Sequence, residues 1–108
     1  MELTGKCKEE FEKWFTDSDN HKGFDAEQIA LDRRCRLNLF YQLYPSMRYG
    51  VLEDYFDSVG LFISITRKGW ILHSDKQMNA FGRLDSRPEA RTAAIEKANE
   101  LRNEVLNK

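Results

Sequence analysis

Long apolar runs are missing from this chain of 108 residues. No stretch approaches the ~18–20 apolar residues that cross a bilayer. The segment Met1 to Lys8 lacks the apolar core of a secretion signal, so a soluble, cytoplasmic protein is expected. Cysteine is scarce as well. Cys7 and Cys35 form no paired-cysteine metal motif, and on candidate helices they read as buried free thiols in a reducing cytosol. An excess of one charge is also absent: 17 Lys and Arg stand against 18 Asp and Glu. The chain is therefore no polycation, although a local basic face remains open to it. His21 and His73 are the only histidines, and neither has a Ser or Cys partner suggested by spacing. There is no Gly-rich phosphate loop, no HExxH and no nucleophile elbow. These absences point to a protein that is not an enzyme and uses no cofactor and no metal. An enzyme using His73 ranks third, behind two binding readings.

What is present is a chain punctuated by helix ends. Its centre is the stretch Ser46 to Gly60. Met47, Val51, Leu52, Tyr55, Phe56 and Val59 fall on one helical face, with Arg48, Glu53, Asp54 and Asp57 off it. Pro45 and Ser46 suit a helix start, and Gly60 suits a left-handed C-terminal cap. Before it, Thr4 is a candidate N-cap for a helix carrying Cys7, Phe11, Trp14 and Phe15 on one face and Lys6, Lys8, Glu9, Glu10, Glu12 and Lys13 on the wet one. The polar loop after Thr16 holds Asp17, Asp19 and His21, but it lacks the Gly and Glu of a calcium loop. Asp25 and Gln28 form a capping box for a helix running to about Tyr44. Ile29, Ala30, Leu37, Phe40, Tyr41 and Tyr44 make its apolar face, widened by Leu31, Cys35 and Leu39. So broad a face is either central or a partner contact.

After Gly60, Leu61, Ile63 and Ile65 alternate with Phe62, Ser64 and Thr66. Arg67-Lys68-Gly69 turns the chain into Trp70 to Ser74, and Asp75-Lys76-Gln77 turns it again into Met78 to Leu84. Ser86, Pro88 and Glu89 open a final helix whose Ala90, Ala94, Ala98, Leu101 and Val105 form a stripe fit to cover a sheet. The expected fold class is α+β, in the order α-α-α-β-β-β-α, as a single domain over 1–108. Residues 1–44 form its helical part and 45–108 an α-β-β-β-α unit.

Two surfaces offer binding chemistry. Arg33, Arg34 and Arg36, with Arg48, make a basic cluster balanced nearby only by Asp32. It is either a solvated face or a contact for an acidic protein surface or phosphates. Tyr41 and Tyr49 are the exposed aromatics expected to anchor such a contact. The second surface follows from topology. The order α-β-β-β-α is that of a double-stranded RNA-binding domain, and Ser86 to Ala94 is similar to its last helix. On that likeness Arg87 and Arg91 would meet phosphates. The loop that enters the minor groove in that family is absent here, and Glu89 places negative charge at the helix start.

Three blocks carry a wider resemblance: Leu3 to Phe15, Phe40 to Gly60, and Arg87 to Leu101. In order and placement they resemble small proteins encoded by phages and prophages of Bacteroidetes-type bacteria. The segment Thr16 to Leu39, which holds the arginine cluster, departs from that common pattern. The resemblance implies a host-directed binding protein acting in the bacterial cytoplasm. Anti-CRISPR proteins are similar in size, and type VI RNA-guided RNases are the target class it implies. The partner would be that defence effector or its ribonucleoprotein, with guide RNA as a further contact and no membrane.

Overall fold

Local rules set most of the element ends. A computed structural model of the chain describes residues 2–17, 22–67, 69–74, 78–84 and 86–108, without the side chains of Met78 and Asn79. Asp19 and His21 of the polar loop lie outside the described residues. Helices α1, α2, α3 and α4 cover Gly5–Thr16, Ala26–Tyr41, Pro45–Ser58 and Arg87–Leu106. Strands β1, β2 and β3 cover Phe62–Thr66, Gly69–His73 and Met78–Arg83. This is an α+β fold in the expected order.

The Asp25 box is complete: Asp25 Oδ1 accepts the Gln28 N–H at 2.8 Å, and Gln28 Oε1 accepts the Asp25 N–H at 3.0 Å. Ser86 Oγ accepts the Glu89 N–H at 3.4 Å, but the return bond from Glu89 is not made. Tyr44 precedes Pro45 and takes the extended conformation a residue before proline prefers, with ψ 149°. It is therefore the N-cap of α3, and α2 ends at Tyr41, earlier than expected. Gly60 closes α3 at φ +83°, the left-handed cap expected there.

The sheet is antiparallel in the order β1-β2-β3. Ile63 pairs with Leu72 and Ile65 with Trp70, and Trp70 with Gly82. Ile63, Trp70 and Leu72 are buried on the inner face, where α4 lies across all three strands and α3 along β1. Ala90, Ala94 and Ala98 carry no bulk beyond Cβ, so the α4 backbone can approach the strands closely. Gly82 is a packing requirement, because a Cβ there would collide with the Trp70 indole. Val105 does not continue the alanine stripe. It is exposed at the rim of a cleft it shares with Val59 and Leu61.

Helix α1 packs on α4 and α2. The Phe11 ring lies 5.0 Å from Phe40, 5.4 Å from Tyr55 and 5.8 Å from Phe15. One hydrophobic cluster thus joins α1, α2 and α3 and continues into the sheet through Leu52, Phe56, Leu72 and Ile95. The face of α3 is rotated from the expected one. Tyr49 is buried, and Met47 is exposed at the junction with α2.

Helix α1 is capped from a distance. Thr4 holds the N-cap position but makes no side-chain cap. Its hydroxyl accepts from Asn99 Nδ2, and its N–H donates to Asn99 Oδ1. The job falls to Asn103 of α4, whose Oδ1 accepts the Cys7 N–H at 2.7 Å while its Nδ2 donates to the Thr4 carbonyl at 3.0 Å. Asn103→Ala leaves a first-turn N–H without an acceptor. It should cost about 1–2 kcal/mol in chemical denaturation. Removing the Thr4 hydroxyl, which does not cap, should cost less.

Candidate functional site

Helix α2 is held to the rest by one edge. Phe40 inserts between Phe11 and Phe15, and the Tyr41 hydroxyl donates to Glu12 Oε1 at 3.2 Å. Burial, then the Glu12 carboxylate, pushes that phenol up to about 12. Among the described residues, the opposite side of α2 has no apolar cover. Leu31 is 57% exposed and Leu39 65%, with Cys35 exposed one turn from each. Only Cys7 of the two thiols is buried. Tyr44, at the α2–α3 junction, is 76% exposed and Met47 beside it is exposed as well. The broad apolar face read from sequence therefore divides. Phe40 faces inward and Leu37 is partly buried; the Leu31–Cys35–Leu39 stripe faces out.

The arginines of the cluster have three different settings. Arg36 pairs with Asp32 one turn earlier, Nε to Oδ2 at 2.9 Å. Arg34 is exposed beside the apolar stripe. Arg33 and Arg48 are partly buried, and the Nε of each is buried without a hydrogen-bond acceptor among the described residues. Tyr41 is accessible, on the edge of α2 that meets Glu12. Tyr49 is not: it is only 7% exposed, under the Arg91 guanidinium, which sits 5.4 Å from its ring centroid. Its expected exposure is thus corrected, because α4 covers this side of α3. Burial and then the Glu53 carboxylate push the Tyr49 hydroxyl up. Tyr44, read from sequence as part of the broad apolar face that is either core or contact, is exposed at the junction.

Arg87 and Arg91 do come together. With Tyr49, Glu53, Ile63 and Ile65 they line a cleft of about 210 Å³ at the start of α4. Arg87 is exposed; Arg91 is committed to the Tyr49 ring, with Glu53 in the same cleft. His73 lies on β2, its ring 5.7 Å from that of Phe62. No group of three metal-ligating side chains is found among the described residues, and no helix there is long and apolar enough to cross a membrane.

One polar network lies inside. Arg102 grips Glu10 with two bonds of 2.8 and 2.9 Å, and the Tyr55 hydroxyl donates to Glu10 Oε1 at 2.7 Å. The single phenolic proton is thereby used, so the Cys7 thiol, 3.8 Å away, is the donor toward Tyr55. Burial pushes Cys7 up to about 11, which keeps it a thiol and a poor nucleophile. Glu10, expected on the wet face of α1, is drawn in by this network. Its carboxyl is held below its usual range by the Arg102 bonds, against a smaller cost of burial. The network ties α1, α3 and α4 together and is structural.

No family model, curated protein or solved structure matches this chain.

Proposed function

We propose that this chain is a non-enzymatic, phage-type protein that binds and inhibits a bacterial defence complex, with an RNA-guided type VI nuclease as the target class. The observation that carries the binding role is the outward side of α2. Leu31, Leu39 and Tyr44 stand uncovered there, with Arg34 beside them. Apolar anchors rimmed by arginine are the composition of an interface centre. The defence target and the bacterial cytoplasm come from the resemblance of the three sequence blocks, and α2 falls in the segment that departs from the common pattern.

The test is RNA cleavage by a purified type VI effector with its guide, titrated with this chain. Stoichiometric loss of cleavage is expected. Leu39→Ser combined with Arg34→Glu should weaken inhibition by about a hundredfold, as two interface anchors of about 1–2 kcal/mol each imply. Both residues are exposed, so the melting temperature should stay unchanged. Full cleavage at a large excess of the wild-type chain would end the reading.

The alternative is an RNA-binding module with the topology of a double-stranded RNA-binding domain. The observation favouring it is that α3 and α4 share one face of the sheet, with Arg87 and Arg91 at one cleft. It requires duplex RNA binding that weakens when Arg87 is replaced by Gln. Glu53 and the Arg91–Tyr49 contact both weigh against a free phosphate site there.

A further inference from the structure

Among the described residues, the second face of the sheet is open. With Ile63, Trp70 and Leu72 turned toward the helices, the alternate residues point away from them. The outward rows are set by the register. Ser64 pairs with Ile71 and Ile71 with Phe81; Phe62 pairs with His73; Thr66 pairs with Gly69 and Gly69 with Arg83. Phe81 is 66% exposed. Phe62, Ile71 and His73 are partly buried, and Ser64, Thr66 and Arg83 are exposed. The Phe62 and His73 rings lie 5.7 Å apart, tilted by 35°, and form a second aromatic surface one row from Phe81.

The charge of this part of the chain is unlike the rest. From Leu61 to Leu84 there are four Lys or Arg and one acid, Asp75. The remainder carries thirteen Lys or Arg against seventeen Asp or Glu. No Asp or Glu occurs in any of the three strands. The strand segment is thus the basic part of a chain whose remainder is net acidic, a balance that favours a polyanion at the strands. One exposed and two half-buried aromatic rings beside arginines match unstacked bases, which a duplex keeps hidden.

We propose that this open face binds single-stranded RNA. Phe81 and the Phe62–His73 pair stack bases, and Arg83 and Arg67 contact phosphates. Arg83 follows Phe81 by two residues on β3 and so shares its face; Arg67 sits in the turn at the end of β1. The exposed hydroxyls of Ser64 and Thr66 on the same face suit the 2′-OH, which selects RNA over DNA. This site is separate from the α2 surface and from the Arg87–Arg91 cleft, and it holds or fails independently of inhibition.

The test uses fluorescence anisotropy on the full chain with an oligouridine of roughly 12 nucleotides, within the site sizes of such platforms. Oligothymidine of the same length and an RNA duplex are the comparisons. Binding to the oligouridine is expected, tightest at low salt. Phe81→Ala should weaken it about tenfold, the loss of one stacking contact. Arg83→Gln should weaken it and make the slope of log K against log salt shallower by about 0.7. Arg87→Gln and Leu39→Ser should leave it unchanged. Phe81 is exposed, so the Phe81→Ala melt should match that of the wild type. Any of four results would overturn the proposal: no binding at low salt, wild-type binding by Phe81→Ala, preference for the duplex or for oligothymidine, or loss of binding on Arg87→Gln.

Discussion

Phe11→Ala should be the most damaging single change in the molecule, costing about 3–5 kcal/mol in chemical denaturation. Phe11 is almost fully buried and touches rings from three helices: Phe15 of α1, Phe40 of α2 and Tyr55 of α3. Its removal leaves a cavity that aromatic neighbours on separate elements cannot close together. A typical domain is stable by about 5–15 kcal/mol, so the variant would sit near its unfolding threshold. The damage should also be uneven. Phe40 is the main inward anchor of α2 and packs on Phe11, so amide exchange in α2 should accelerate more than exchange in β2. Equal acceleration in both would show that α2 is fastened by something other than this ring pair.

The second large effect is expected at Arg102. Its side chain is 19% exposed and that of Glu10 30%, so the pair is sheltered but not sealed. Arg102→Met strands the Glu10 carboxylate with only the Tyr55 hydroxyl and should cost about 2–3 kcal/mol. Adding Glu10→Gln should recover part of that loss, since the stranded charge is then gone. The pH dependence has a definite sign. The Glu10 carboxyl titrates lower in the folded chain than in the unfolded one, because Arg102 stabilises its charged form. Its contribution is complete above the unfolded value of about 4.3. It is lost as pH falls below that value and through the lower folded one. Melting temperatures of the wild type should therefore fall more steeply than those of Arg102→Met below about pH 4.3. Parallel curves would remove Glu10 from the acid transition.

The helix starts and the strands were readable because short-range rules write them. Asp25 and Gln28, Pro45, Gly60 and Ser86 each act within a few residues of themselves. The alternation of Phe62 to Thr66 shows which residues share a face, whatever lies on that face. What could not be read depends on packing between distant segments. Glu10 looks like a wet-face glutamate until Arg102 arrives from α4. Tyr49 and Met47 exchange their expected places because α4 covers one side of α3. The candidate surfaces were legible to the same degree. The apolar breadth of α2 was visible, but which of its residues face outward follows from where α1 sits. Phe81 was simply a strand residue until the helices were placed on the other face of the sheet.

The tertiary cap on α1 has a consequence for how the protein is made. Thr4 and Cys7 find their partners in Asn99 and Asn103, across 95 and 96 positions of chain. Glu10 likewise waits for Arg102, at a separation of 92. A nascent chain that has released α1 but not α4 carries a helix with an uncapped start and a Glu10 carboxylate without its arginine. Loop closure on that scale is slow relative to local contacts. Folding therefore completes only after synthesis has passed Asn103, and until then the α1 start is a segment exposed to misassembly.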